Sequence, residues 1–349
     1  YKTCTYLGAQ NNFGAMKFIE MPKELQTKSI ETLSLNYGMP EQIIEKDWWV
    51  SAVMRALFAL PYANQMSFKG GTSLSKCWNV ISRFSEDIDI AVNRVFLGYG
   101  GELSRTQVSD KLRRAACTFV RERLQNDLRD KMIEQGIPSD KFSVEVNITS
   151  VTTVDPEVIN VRYDSLYPML SYIRNAVKIE VSGRSMSEPI ENVQLRSMIE
   201  DAFPNTKFAE AKFNVPTVKP ERTFLEKVCL LHEEFSKEVA EVRVDRMSRH
   251  LYDIAMMMKT DIADRALADK QLFGNIVEHR RKFIGLKGFD YSTLCADKIS
   301  IVPPEGVIDK WKQDYIQMCN SMMYGDYPDF DELMAYICEL QERLRKSLR

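Results

Sequence analysis

Residues 68–92 read FKGGTSLSKCWNVISRFSEDIDIAV, a glycine turn followed at short range by an acidic pair on an otherwise apolar strand. Upstream, Met66 and Phe68 are apolar enough to end a strand, and Gly70-Gly71 then permit conformations and close approaches that a Cβ would forbid. Thr72 and Ser73 are natural caps, so a helix is predicted over Leu74–Ile81. A helix start carries unpaired amide N–H groups and partial positive charge, which makes the turn a candidate phosphate cradle with Lys76 one turn further in. Taken alone, the turn reads more simply as a plain strand-to-helix connection.

Glu86-Asp87-Ile88-Asp89-Ile90-Ala91-Val92 changes that balance, because aspartate is depleted in strands and here appears twice in one. In an extended chain Asp87 and Asp89 point to one face and Ile88 and Ile90 to the other. Two adjacent carboxylates repel, and hard divalent cations with oxygen ligands relieve the repulsion while activating phosphoryl chemistry. A solvated edge strand with its acids in water is the alternative.

The pairing resembles the nucleotidyltransferase superfamily: an apolar residue, Gly-Gly or Gly-Ser, a spacer, then Asp-x-Asp or Asp-x-Glu between apolar residues. KGGTSLSK followed by RFSEDIDI is more closely similar to the AbiEii/AbiGii toxin family of type IV toxin–antitoxin pairs. The similarity continues in IEKDWWVSAVMRALF, PERTFLEKVCLLHEE, SRHLYDIAMMM and DYIQMCNSMMYGDYPDFDEL, and so covers most of the chain. Two departures from the superfamily pattern are Lys69 in place of an apolar residue and a longer spacer before Asp87; the longer spacer is typical of the toxin family. The resemblance implies an α+β fold, a small mixed nucleotidyltransferase-type sheet with flanking helices and a helical C-terminal domain. It also implies an NTP substrate, Mg²⁺ or Mn²⁺ at the carboxylates, tRNA 3′ ends as acceptor and a cognate antitoxin as partner.

Composition is compatible with that reading. The chain has 349 residues, and its formal net charge of −2 gives no global attraction to nucleic acid, so an RNA surface has to be a local basic patch. Seven cysteines are scattered without C-x-x-C or zinc spacing to the three histidines, which predicts free thiols in a reduced cytoplasmic chain. No apolar run is long enough to span a membrane and no leader pattern is visible, although the sequence begins at Tyr1 and leaves a preceding leader open.

Three regions are expected. Residues 1–65 read as an N-terminal helical segment, with Trp49, Val53, Ala56 and Leu60 on one face of a helix over Glu45–Leu60 and the tryptophans as packing residues. Residues 66–219 hold the catalytic core, with an amphipathic helix over Asp110–Glu134 and strands over Phe142–Thr149, Val158–Tyr163 and Ala176–Ser182. The arginines of that helix, Arg113, Arg114, Arg121 and Arg123, read as a solvated face, with RNA phosphates as the alternative. Residues 220–349 are helical, ending in a helix capped by Asp329 and Glu332.

Superfamily enzymes take a third carboxylate from a later apolar-acid-apolar strand, and both Glu180 and Glu145 fit. Glu180 is preferred because Lys178 lies on the same strand face. In the toxin family a Glu-Lys helix sends its lysine to the nucleotide phosphates, here Lys227. The same likeness gives Asp253 an active-site role, orienting that lysine or helping deprotonate an acceptor hydroxyl. Arg249 and Asp253 stand at i, i+4, so a mutual Arg-Asp brace is the alternative. His232 and His250 lack a partner pattern and read as structural, and Met256–Met258 as core. The candidate site is therefore Asp87, Asp89 and Glu180 for metal, Gly70, Gly71, Thr72, Ser73, Lys76 and Lys178 for the triphosphate, and Lys227 and Asp253 in catalysis. A nucleotidyltransferase acting on protein or a small molecule shares these carboxylates. An interaction protein that binds nucleotide without turnover is expected to have lost them, and both aspartates are present.

Overall fold

The computed structural model describes residues 17–148, 150–168 and 175–347. Helices α1 (Lys23–Tyr37) and α2 (Glu41–Leu57) precede strand β1 (Met66–Lys69), helix α3 (Gly70–Lys76) and strand β2 (Asp87–Val92). A continuous helix over residues 105–134 follows. Its α-helical stretches α4 (Leu112–Thr118) and α5 (Gln125–Glu134) are interrupted by π-helical turns at Gln107–Lys111 and Phe119–Leu124. Then come β3 (Phe142–Val146), β4 (Glu157–Tyr163), β5 (Ala176–Ser182), β6 (Ile190–Leu195), short α6 (Met198–Ala202) and β7 (Phe213–Val218). The described elements beyond are helical: α7 (Pro220–Phe235), α8 (Ser248–Met258), α9 (Ile262–Ala268), α10 (Lys270–His279), α11 (Glu305–Met322) and α12 (Phe330–Ser347). Pro at the first position of α7 suits a helix start, where no N–H is needed.

The seven strands form one mixed sheet in the order β3-β4-β5-β2-β1-β7-β6. β2 runs parallel to β5 and β1 parallel to β7, while the other neighbours are antiparallel. The fold is α+β.

Alternation along the strands decides what each face does. Ile88 and Ile90 of β2 and Val177, Ile179 and Val181 of β5 are completely buried in one core with α2 and α5, where Trp49 stacks on Tyr163 with ring centroids 4.8 Å apart. The opposite face carries Asp87, Asp89, Lys178 and Glu180. A second core joins α7, α8, α11 and α12 and takes in Leu74 of α3 and Ile81 beyond it. Among its most buried residues are Phe224, Val228, Leu231, Met257, Leu333 and Ile337.

Several boundaries differ from expectation. Helix α3 starts at Gly70 rather than Leu74, with extended Lys69 at its N-cap. The β3 strand ends at Val146, and Thr149 lies outside the described residues, as do residues 1–16. Strands β6 and β7 have no counterpart in the sequence reading. Pro216 sits in β7 opposite Asn192, and β6 is a largely exposed edge, so neither displays the alternation of a half-buried strand. Asp329 does cap the last helix, its Oδ1 accepting from the Glu332 N–H at 2.8 Å. The six described cysteines are free thiols.

Candidate active site

Strand register brings the acids together. Asp89 is paired with Glu180 on β5 and with Lys69 on β1, and Asp87 is paired with Lys178. Adjacent strands lie about 4.8 Å apart, so Glu180 is the immediate lateral neighbour of Asp89. Glu145 is three strands from β2, on the sheet edge, where it accepts from Arg162 at 2.8 Å and from Ser143 at 2.9 Å. Of the two carboxylates the sequence left open, only Glu180 reaches the pair.

The glycine turn is shaped around these acids. At Gly70, with φ +82°, an ideal Cβ would lie 2.0 Å from Asp89 Oδ2; at Gly71 it would lie 2.5 Å from Arg83 Nη2. Thr72 and Ser73 are buried, and their hydroxyls serve the fold: Thr72 Oγ1 donates to Asp87 O at 2.5 Å and Ser73 Oγ to Gly70 O at 2.8 Å. Neither hydroxyl caps a helix beginning at Leu74. Lys76 is ion-paired with Asp47 of α2. The turn thus offers its backbone and the space of two missing side chains.

Neither the Asp87 nor the Asp89 carboxylate makes a hydrogen bond or ion pair among the described residues. Burial pushes the Asp89 carboxyl up to about 6; Lys69 opposes the shift, and Glu180 and Asp87 reinforce it. Burial also raises Asp87, with Lys178 opposing. Lys178 is ion-paired with Glu180. Burial works against its ammonium, but Glu180 and Asp87 outweigh burial and raise its pKa. Glu86, just before β2, is ion-paired with Lys46 of α2.

Helices α7 and α8 supply the facing wall. Asp253 is fully buried and accepts from Arg83 Nε at 2.7 Å and Nη2 at 2.8 Å, while Lys227 Nζ lies 2.9 Å from its Oδ2. Burial opposes ionisation of Asp253, yet Arg83 and Lys227 outweigh it and hold the carboxyl well below the usual range. Lys227 also meets His250 Nδ1 at 3.2 Å. Burial lowers the His250 pKa well below its ordinary value, with Lys227 and Arg249 adding to the effect, so the ring is neutral. Arg83 is positioned by a strap: Phe84 N donates to Met322 O at 2.6 Å and Tyr324 N to Ser82 O at 3.0 Å.

Three expectations need correction. Asp253 is braced by Arg83, 170 residues away in sequence, and Arg249 makes no hydrogen bond or ion pair among the described residues. His250 belongs to the site, whereas His232 is structural, accepting from Ser300 N at 3.0 Å. The arginines of the 105–134 helix do not form one solvated face, since Arg121 pairs with Glu157 in a largely buried bridge at 2.7 Å and Arg123 lies 4.4 Å above the Tyr62 ring. The sequence reading missed Lys69, Arg83, Arg249 and His250 as site residues. Lys69 was visible only as an odd residue before Gly70, and Arg83 only as part of the RFSED segment.

An acidic pair without protein partners beside a third carboxylate, a glycine turn and facing cations are the parts a nucleotidyltransferase site needs. The family model for the nucleotidyl transferase AbiEii toxin, type IV toxin–antitoxin system, matches residues 52–336, and the chain belongs to that family. Solved structures similar to it include the nucleotidyltransferase toxin MenT4 of Mycobacterium tuberculosis, 17% identical, with 94% of this chain and 100% of that one covered and a TM-score of 0.44. JHP933 of Helicobacter pylori is 16% identical, with 88% of this chain and 94% of that one covered and a TM-score of 0.45. No curated protein matches the sequence. No described helix is long and apolar enough to cross a membrane.

Proposed function

We propose that the chain transfers the nucleoside monophosphate of an NTP to the 3′ hydroxyl of an RNA, a tRNA 3′ end, in a Mg²⁺-dependent reaction in the cytoplasm held in check by a cognate antitoxin. The observation that carries the chemistry is the unpartnered Asp87–Asp89 pair with Glu180 beside it in register. The acceptor and the antitoxin rest on family membership.

No three acidic, histidine or cysteine side chains already converge as a cation cage among the described residues. The donor set nevertheless fits Mg²⁺ or Mn²⁺: three carboxylates, all hard oxygen, two of them without partners, and a backbone with a Cβ's worth of space at Asp89. Asp87 and Asp89 would hold the ion, with Glu180 beside Asp89 as a further oxygen donor and Lys178 within reach of a nucleotide phosphate. Bound there, a divalent cation lowers the cost of ionising the acceptor hydroxyl and stabilises the departing pyrophosphate.

The chain's own residues orient and neutralise. The acceptor oxygen bonds to the α-phosphorus, the α–β anhydride bond breaks, pyrophosphate leaves and the hydroxyl proton passes to water. Lys227, whose charge Asp253 supports against burial, supplies a positive charge to the phosphoryl oxygens. Two of its contacts, to Asp253 and His250, fix where it points. Asp253 is saturated by Arg83 and Lys227 and strongly acidic, so it serves as a positioning residue and not as the base.

The acceptor is tested by incubating intact protein with α-labelled NTPs, Mg²⁺ and total RNA, with and without periodate oxidation of the 3′ diol. Label in a tRNA-sized band that oxidation abolishes is the expected result. Label that resists oxidation, or appears only on protein or metabolites, rejects the RNA 3′ end.

A further inference from the structure

Arg249 and Asp253 stand one helical turn apart on α8, a spacing that ordinarily joins such a pair. The fold separates them. Asp253 is occupied bidentately by Arg83 and at a third point by Lys227. Arg249, only partly exposed, makes no hydrogen bond or ion pair among the described residues. No Arg249 nitrogen is buried without a partner, so its donors stay open to solvent or a ligand, and arginine keeps its charge there.

Its surroundings say what is missing. Burial and the guanidinium groups of Arg83 and Arg246 disfavour its charge, while Asp253 and Asp87 favour it. Arg83 is already spent on Asp253, and Arg246 lies 3.9 Å from Glu86. Asp87 is itself expected to turn to a cation. Across the sheet, Lys69 is a second cation without an ion pair, in register with Asp89. The cleft therefore presents two acids without a cation near two basic side chains that form no ion pair among the described residues, Lys69 being shared electrostatically with Glu226. That pattern complements a metal-bound polyphosphate, whose ion meets the acids and whose outer oxygens meet the basic groups.

We propose that Arg249 is a phosphate-binding residue that grips the β- and γ-phosphates of the NTP and holds the pyrophosphate as it leaves. This rests on the nucleotidyl-transfer reading and adds to it the side chain that answers the triphosphate tail. Arginine suits the task because its planar fork binds phosphate oxygens in pairs, whereas lysine offers a single point charge.

The test uses the full chain with Mg²⁺ and compares the parent with Arg249→Gln and Arg249→Lys. Three quantities are measured: the thermal midpoint without ligand, the affinity for inorganic tripolyphosphate, and the affinities for an NTP and its NMP. Arg249→Gln is expected to leave the midpoint unchanged or raised, because no protein partner is lost. It should weaken tripolyphosphate and NTP about 10- to 100-fold while leaving the NMP unaffected. Arg249→Lys should recover part of the loss. A Gln variant that binds tripolyphosphate and NTP like the parent, or weakens the NMP as much as the NTP, overturns the assignment. A large drop in midpoint overturns it too, by showing a structural brace. If the parent binds neither tripolyphosphate nor NTP, nucleotidyl transfer fails along with it; parent binding with no effect of Arg249→Gln rejects Arg249 alone.

Discussion

At Gly70 and Asp89 one side chain's absence makes room for another's charge. Gly70→Ala sets a Cβ against Asp89 Oδ2 at a positive φ, and it should cost about 1–3 kcal/mol, checked by urea unfolding, and abolish transfer, checked by incorporation of α label into RNA. Asp89 has the opposite stability sign. Its folded pKa of about 6 exceeds the ordinary aspartate value, so the metal-free chain loses stability as pH rises from about 4 through 6. Asp89→Asn removes that titration and should be more stable than the metal-free parent at pH 7.5, by up to about 3 kcal/mol, while binding the cation poorly. Equal stability at pH 7.5 would show that the Asp89 charge is not under strain. The sequence showed that Asp87 and Asp89 share a face, because strand alternation is local. It did not show which glutamate joins them, because that depends on strand order.

Among the elements, the 82–84 strap is the piece whose purpose depends on a distant part of the chain. It pairs with the segment after α11 and delivers Arg83 to Asp253. Arg83→Met strands a buried carboxylate with Lys227 alone and should destabilise by about 3–5 kcal/mol. The double variant Arg83→Met/Asp253→Leu should regain much of that stability without regaining activity, since Lys227 then has no carboxylate to orient it. Urea denaturation of the singles and the double measures the coupling, and strictly additive losses would show that the pair does not act as a unit. Helix α2 was legible because its apolar spacing is local, although it runs Glu41–Leu57 and leaves Leu60 beyond its end, and α12 was legible from its Asp329 cap. Strands β6 and β7 were not, because Pro216 and an exposed edge erase the periodic signal. The Arg83–Asp253 contact was hidden behind a local i, i+4 match that the tertiary fold overrides.

For the molecule as a whole, opposing titrations meet. Burial disfavours charge on Glu226, yet Arg222 and Lys69 bring its pKa down to about 2, and Asp253 is lower than usual by the same logic. Depressed carboxyls give stability that is present above their unfolded values, near 4, and lost as pH falls through the folded values. With the loss at Asp89 set against the depressed His250 and His279, which add stability as pH rises toward about 6.5, the metal-free chain should weaken toward pH 2.5 and reach its stability maximum at mildly acidic to neutral pH. Mg²⁺ should move that maximum upward, because it favours ionised Asp89. Chemical denaturation midpoints across this range, with and without Mg²⁺, check the prediction, and a maximum that ignores the ion contradicts it. The measurement that bears most directly on the whole account is label transfer from an NTP carrying ³²P at either the α or the γ position, by the parent and by Asp89→Asn. The account predicts that, with Mg²⁺, α label enters RNA and γ label leaves as pyrophosphate, in the parent alone. Transfer of γ label, or α transfer that survives Asp89→Asn, would contradict it.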